Sequence, residues 1–251
     1  VGRLSGKVAL ITGGESGIGL ATARLFVAEG AAVALIGLDS GLLRAAAAEL
    51  GSCCAAAVAD VRDSAAVRGA VEQAVARFGA LDVVFANAGI FGVVATVPDY
   101  PEAIFADVLG VHVLGAFHTL KHTLPVLRDG GSVVINSSVV GLTADAGIAA
   151  YATAKHAQVG LMRVTAKECA ARRIRVNTIH PGPTDTAFQR AIETAATGQD
   201  EAAAARIFDG MIPLRRHAEP AEIARTVLFL ASDDSAFITG ATIAVDGGMS
   251  V

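Results

Sequence analysis

The sequence predicts an α/β protein: one domain built on a parallel sheet with helices on both faces. Three observations predict it. Short β-branched runs bounded by Gly, Asp or Asn alternate about six times with longer Ala/Leu/Arg/Glu segments of helical spacing, the rhythm of repeated βαβ units. The short runs are continuously apolar, as strands covered on both faces must be. Hydrophobic residues make up 53% of the 251 residues and charged ones only 18%, against about 25% charged in an average soluble domain. Mean hydropathy is +0.54. The longest charge-free stretches, Val83–Pro98 and Gly130–Ala144, contain Gly, Asn or Ser and fall short of the roughly 18 apolar residues of a spanning helix. No membrane partner is therefore expected. Buried strands and subunit contacts are the two outlets for so much apolar surface.

The elements follow in order. A strand over Val8–Thr12 enters a glycine-rich turn and a helix over Ile18–Glu29. Next come a strand over Val33–Leu38 with a helix over Leu42–Leu50, and a short strand at Val58–Ala59 with a helix over Ala65–Phe78. A strand over Val83–Ala86 precedes a long helix over Ile104–Leu127. A strand over Val133–Asn136 precedes a helix over Ala149–Ala171. A sixth strand spans Val176–Ile179, a helix Ala221–Ala231 and a last strand Ile243–Val245. The segment 187–212 interrupts this rhythm, and inserts at the carboxyl end of such a sheet commonly carry binding function. No Pro/Ser-rich linker divides the chain, so residues 1–251 read as one domain.

Several function classes drop out. The formal net charge is −4, Trp is absent, and no basic run is longer than Arg172-Arg173 with Arg175; nucleic acid is not an expected partner. Cys53, Cys54 and Cys169 lack C-x-x-C spacing and read as free thiols in a reducing compartment, or simply as buried small hydrophobes. With no signal-peptide pattern at residues 1–7, the expected location is the cytoplasm. His118 and His122 are four apart, as a metal pair would be, but no third ligand is evident, and no metal is expected.

The turn Thr12-Gly13-Gly14-Glu15-Ser16-Gly17-Ile18-Gly19 lies between a strand and a helix. Small residues let the backbone approach an anion, and the helix N-terminus offers free N–H groups and a positive dipole. A glycine turn alone is weak evidence, but this one follows the first strand, where doubly wound sheets bind dinucleotides. No Gly-Lys-Ser/Thr follows, which disfavours a nucleotide triphosphate loop. Asp39, twenty positions beyond Gly19, is placed to hold a ribose 2′-hydroxyl; equally, it can cap the next helix. Asp39 and Glu15 would both repel a 2′-phosphate, so NAD is expected over NADP.

Tyr151 and Lys155 lie four apart, on one helical face. A nearby cation lowers a phenol pKa, and bringing it from about 10 to about 7 takes roughly 4 kcal/mol. Tyr could then exchange a proton at neutral pH. Ser138 ends the preceding strand in Asn136-Ser137-Ser138, and its hydroxyl either donates to a substrate oxygen or satisfies local backbone.

In combination these features resemble the short-chain dehydrogenase/reductase family over residues 5–249. The resemblance rests on Thr12–Gly19, Asp60-Val61, Asn87-Ala88-Gly89, Asn136–Ser138, Tyr151–Lys155, Pro181-Gly182 with Thr186, and Asp246-Gly247-Gly248. It implies a Rossmann fold whose seven parallel strands have the order 3-2-1-4-5-6-7, and NAD(P)-dependent alcohol/carbonyl chemistry. By position it implies Tyr151 as general acid/base, Lys155 on the nicotinamide ribose and depressing the phenol pKa, and Ser138 polarising the carbonyl. It implies cofactor contacts from Gly13, Glu15, Ser16, Gly17, Ile18 and Gly19, and from Asp60 and Val61 around adenine. Asn87, Ala88 and Gly89 at strand four, and Pro181, Gly182, Thr184 and Thr186 at the nicotinamide, complete the set. The Tyr–Lys spacing fits the alcohol/ketone branch; enoyl reductases space the pair more widely.

The sequence departs from the family twice. The family's cofactor-selecting positions at the end of strand two fall on Gly37 and Leu38, so Asp39 lies late. His112 stands where the family has Asn, which kinks its helix and holds a relay water. His112 is either a substitute relay or a packed helical residue, and loss of activity is a third outcome. Aligned substrate-wall residues are Phe91, Val140, Leu142, Phe188, Ile192, Phe208 and Met211, all apolar. They predict a hydrophobic or aromatic ketone/secondary alcohol. The leading alternative is a non-catalytic dinucleotide-binding regulator of the same fold. The resemblance also implies a homotetramer joined through the long helices over 104–127 and 149–171.

Overall fold

The structure, a computed structural model, describes residues 2–251. Seven parallel strands pair in the order β3-β2-β1-β4-β5-β6-β7, as the resemblance implies. They are β1 (Val8–Thr12), β2 (Ala32–Gly37), β3 (Cys54–Val58), β4 (Leu81–Ala86), β5 (Leu127–Asn136), β6 (Arg175–Pro181) and β7 (Thr242–Val245). Among the described residues the nine α-helices are α1 (Gly17–Ala28), α2 (Ser40–Leu50), α3 (Ser64–Phe78), α4 (Glu102–Leu109), α5 (Gly115–Thr123), α6 (Ala149–Cys169), α7 (Ala187–Thr197), α8 (Glu201–Met211) and α9 (Pro220–Ala231).

The continuously apolar strands are explained by the two faces they feed. Successive strand residues point to opposite sides. Leu10 and Val84 join Val67, Leu120 and Met162 in one core, beneath α3, α5 and α6. Ile11 and Phe85 join Phe26, Leu43 and Val227 in the other, beneath α1, α2 and α9. Both cores are built of buried apolar side chains, so both strand registers must be apolar.

Two boundaries correct the sequence reading. The third strand is Cys54–Val58, not Val58–Ala59. It is a half-exposed edge strand whose first four residues are small, so its only β-branched residue is the last, Val58. The long helix ends at Thr123, and Leu127 belongs to β5, where it pairs with Leu81. Apolar spacing runs on through Leu124 and Leu127, but strand pairing captures the end. Within that helix, Gly110–Leu114 forms a π turn joining α4 to α5. The run Glu102–Thr123 is long and apolar enough to span a membrane by length and composition; here it packs on α3 and α6. Leu114, Phe117 and Val164, on the helices expected to join subunits, are exposed. The insert resolves into α7 and α8.

Candidate active site

The carboxyl ends of β1, β4 and β5 converge at the switch point of the sheet, where β1 lies beside β4 and crossovers leave to opposite faces. A network of short polar bonds fixes these ends. Thr12 Oγ1 accepts from the backbone N–H of Asn87 (2.9 Å) and of Ala88 (3.1 Å). Asn87 Nδ2 donates to the carbonyls of Thr12 (3.1 Å) and Gly13 (3.0 Å). Asn136 Nδ2 donates to Asn87 Oδ1 (2.8 Å), and Lys155 Nζ donates to the Asn136 carbonyl (2.7 Å). Glycine loop, strand ends and Lys155 are thus one connected unit.

The loop between β1 and α1 is shaped to admit a dinucleotide. Gly13 and Gly17 sit at φ +62° and +48°, a region costly for residues with a Cβ. A Cβ on Gly19 would fall on the Gly13 carbonyl oxygen. The cavity above this loop has a volume of about 640 Å³ and runs from Glu15, Gly37 and Asp60 past Gly89 to Tyr151 and Met211. Among its walls lies an unpartnered acceptor. Glu15 Oε1 accepts from Leu38 N–H (3.1 Å), while Oε2 is buried with no partner. Gly37 makes room for that carboxylate, since a Cβ there would overlap it. A ribose hydroxyl is the kind of donor this oxygen fits. Positive-φ glycines, open N–H groups at the start of α1 and a waiting acceptor at the end of β2 all suit a nicotinamide dinucleotide.

Ser138, at the end of β5, caps a short 3₁₀ turn, Val139–Gly141. His180 holds it in place: Nδ1 bonds the Ser138 carbonyl (2.8 Å) and Nε2 bonds Thr178 Oγ1 (2.9 Å). Ser137 Oγ donates to the Lys155 carbonyl (3.0 Å), which fastens α6 to β5. Tyr151, Lys155 and Ser138 all line the cavity. The phenol opens onto the cavity but is otherwise surrounded by protein. Phe91 packs against its ring at 5.5 Å and His112 at 5.3 Å, the latter edge-on.

The electrostatics of the pair differ from the sequence expectation. Burial pushes the Tyr151 phenol up to about 12, opposed in part by the Ser138 hydroxyl. Lys155 does not depress it. The ammonium lies 5.3 Å from the ring centroid and is committed to the Asn136 carbonyl, and burial pulls its own pKa down to about 7. Spacing on a helix predicted proximity; the direction of each shift depends on desolvation, which spacing does not report.

His112 lies in the π turn, fully buried. Its Nε2 bonds the Ile90 backbone (2.6 Å to the carbonyl), and its Nδ1 has no partner. Its own carbonyl accepts from Gln158 Nε2 (3.0 Å). Burial, with the Lys155 charge adding to it, holds the imidazole well below its ordinary pKa, so the ring is neutral. His118 and His122 are divided between separate partners, the Val61 carbonyl (2.9 Å) and Ser64 Oγ (2.8 Å).

Of the predicted residues, three lie outside the cavity wall. Asp39 caps α2, its carboxylate accepting from the N–H groups of Gly41 and Leu42 (2.8 and 2.9 Å). Leu142 follows the 3₁₀ turn and is exposed. Gly19 is tucked behind Gly13. The other predicted cofactor contacts, Ser16, Ile18, Val61, Asn87, Ala88, Pro181, Gly182, Thr184 and Thr186, border the cavity, as do Val140, Phe188, Ile192 and Phe208. The sequence reading missed Arg62, which also lines it. Arg62 bonds Asp60 (2.7 Å) and Asp107 (2.9 Å), and its guanidinium keeps the Asp60 carboxyl below the usual range. Its position two residues past the Asp60-Val61 motif was the available signal.

Comparison with known proteins places this geometry. A family profile described as enoyl-(acyl carrier protein) reductase matches residues 13–250. Momilactone A synthase of Oryza sativa subsp. japonica is 39% identical over 255 residues, covering 99% of this chain and 92% of that protein. Levodione reductase of Leifsonia aquatica is 37% identical over 255 residues, covering 99% and 96%. A crystal structure of levodione reductase superposes with a TM-score of 0.95 at 36% identity, covering 99% of both chains. A blue fluorescent protein from a metagenomic library, in complex with NADPH, gives 0.90 at 33% identity, covering 99% and 100%. A 3-ketoacyl-(acyl-carrier-protein) reductase from Brucella melitensis, complexed with NADH, gives 0.90 at 30% identity with the same coverage.

Proposed function

The chain belongs to the short-chain dehydrogenase/reductase family, and from that premise we propose that it interconverts hydrophobic or aromatic ketones and secondary alcohols with NAD as its cofactor. The observation that carries this reading is the convergence of Ser138, Tyr151 and Lys155 on a cavity whose far end is walled by Phe91, Phe188, Ile192, Phe208 and Met211. The x-x-x spacing of Tyr151 and Lys155 favours the alcohol/ketone branch over the enoyl-reductase chemistry in the name of the matching profile.

When bound, the dinucleotide supplies or accepts the hydride. The chain does the rest. Ser138 donates a hydrogen bond to the carbonyl oxygen. The Tyr151 phenol, protonated at neutral pH because burial lifts it to about 12, gives that oxygen its proton. This suits the reducing direction. Lys155, titrating at about 7, can surrender a proton in the neutral range and help restore the phenol. Phe91 and His112 hold the ring from two sides, so the hydroxyl is aimed before substrate arrives.

The preference for NAD rests on charge. Glu15 presents a buried carboxylate oxygen beside Gly37, where a 2′-phosphate would meet repulsion. Arg62, the cation in that part of the wall, is already held by Asp60 and Asp107. Arg24 is paired with Glu49 and does not reach in. Related structures hold either dinucleotide, so kinetics decide. Steady-state rates of NADH and NADPH should be compared over aryl ketones, keto acids and sugars. Turnover of aryl ketones with NADH is expected. Faster turnover of keto acids or sugars would refute the apolar-pocket reading, and preference for NADPH would refute the role given to Glu15.

His112 is proposed as the substitute for the family's relay Asn, on the strength of its unpartnered, neutral Nδ1. His112→Asn is expected to alter the pH profile of kcat. An unchanged rate and profile would reduce His112 to a packing residue.

A further inference from the structure

Between the two helices of the insert lies a cluster the reaction does not use. His217 Nε2 meets Glu193 Oε1 on α7 at 2.5 Å, and its Nδ1 meets Asp209 Oδ1 on α8 at 2.7 Å. The Glu193 side chain is 1% exposed and that of His217 14%. The same Glu193 oxygen accepts from Gln189 Nε2 at 2.9 Å, and Gln189 lines the cavity. His217 itself is anchored to the body of the protein. Its neighbour Ala218 pairs with Thr184, donating to the Pro183 carbonyl and accepting from Asp185 N–H. One imidazole on a fixed strap therefore grips both insert helices, and through Gln189 reaches the cavity wall.

We propose that His217 is a positioning residue, a two-sided clamp that holds α7 and α8 closed over the cavity while both ring nitrogens carry protons and frees one arm when one is lost. The proposal rests on the reading of residues 187–212 as the cover of the substrate pocket. Two N–H groups serve two carboxylates only in the imidazolium. In the neutral ring, one nitrogen lone pair would face a carboxylate oxygen within 2.7 Å. Glu193 would then be a buried charge without a counter-ion, a costly state. Among the described residues, neither Glu193 nor Asp209 forms an ion pair with any other side chain. Arg190 on α7 is engaged by Asp185 and Glu201. In the strap, Arg215 donates to the Gly210 carbonyl, and Arg216 is paired with Glu222.

The sign of the pH effect follows. Burial alone would lower the imidazole pKa, but the hydrogen bonds and charges of Glu193 and Asp209 outweigh it and raise it above the ordinary value of 6.5. A group raised in the folded state stabilises it fully below the ordinary value and loses that contribution as pH climbs through the raised one. The clamp is thus closed in mild acid and opens on the alkaline side.

Hydrogen exchange of the whole protein, corrected for the intrinsic rate at each pH, reads the clamp without any substrate. Protection of peptides spanning residues 187–211 is expected to fall about tenfold between about pH 6 and about pH 8.5, equivalent to roughly 1.4 kcal/mol. Peptides of β1, β4 and β5 should not change. His217→Phe, and separately Glu193→Gln with Asp209→Asn, should abolish the step while the sheet stays protected. Equal insert protection at both pH values in the wild type, or a step that persists in His217→Phe, overturns the clamp. With a turned-over ketone, KM should rise over the same interval in the wild type and not in His217→Phe, while the pH profile of kcat, set at Lys155, should be the same in both. Absence of turnover counts against the ketone reading alone, because the exchange result decides the clamp by itself.

Discussion

Tyr151→Phe is expected to cut ketone reduction by about 10²–10⁴-fold, the usual worth of a positioned general acid, and to leave the fold intact. The substitution removes one oxygen and keeps the ring that Phe91 and His112 flank at 5.5 and 5.3 Å. Melting temperature and NADH affinity should therefore match the wild type. The hydroxyl lies within reach of the Ser138 hydroxyl and holds its proton firmly at neutral pH. Steady-state kinetics with NADH and an aryl ketone check it. A variant within tenfold of the wild type would mean that water or Ser138 delivers the proton and that Tyr151 only packs.

Asn87→Ala should produce the second large effect, on binding and stability together. Its side chain donates to the Thr12 and Gly13 carbonyls and accepts from Asn136. Alanine leaves those groups short of partners in a partly buried crevice. Summed over them, a loss of about 3 kcal/mol is expected, which lowers the melting temperature by roughly 6–12 °C in a domain of this size. NADH affinity should fall at least about tenfold, because Asn87 fixes the Gly13 carbonyl that shapes the loop. Thermal denaturation and NADH fluorescence titration measure both. Asn87→Asp separates the contributions: it keeps the acceptor for Asn136 and loses both donors. Unchanged melting and affinity in Asn87→Ala would mean that Thr12 Oγ1 alone sets the loop.

Much of this architecture is legible in the sequence because parallel strands buried on both faces cannot disguise themselves. Val8–Thr12 is read with its observed bounds, since a run of five apolar or β-branched residues that stops at a glycine pair is too short for a buried helix and fits a covered strand. Cys54–Val58 is illegible for the opposite reason: an edge strand of small residues needs only one partner and little burial. The end of the long helix was set by Leu127 pairing with Leu81, a contact across more than forty positions that helical periodicity does not register. In the site, Ser138, Tyr151 and Lys155 were found by motif, but the acid facing the end of β2 was sought at Asp39 and lies at Glu15. Asp39 is drawn to the N–H groups of α2, a local bond that forms whatever the cavity requires. His217, Glu193 and Asp209 carry no shared spacing, and only the folded hairpin of α7 and α8 brings them together.

Gly89 and His112 have a consequence of a different kind. A Cβ on Gly89 would lie 2.5 Å from Cε1 of the imidazole, inside any real carbon–carbon approach, and the ring is walled in on its other edges by Ile90 and Tyr151. The two positions are therefore a matched pair with an order of events. A glycine at 89 must be present before histidine can occupy 112, and once it does, every enlargement at 89 is closed until 112 shrinks. Any lineage or directed-evolution library that varies these positions one at a time can leave this arrangement through residue 112, but not through residue 89.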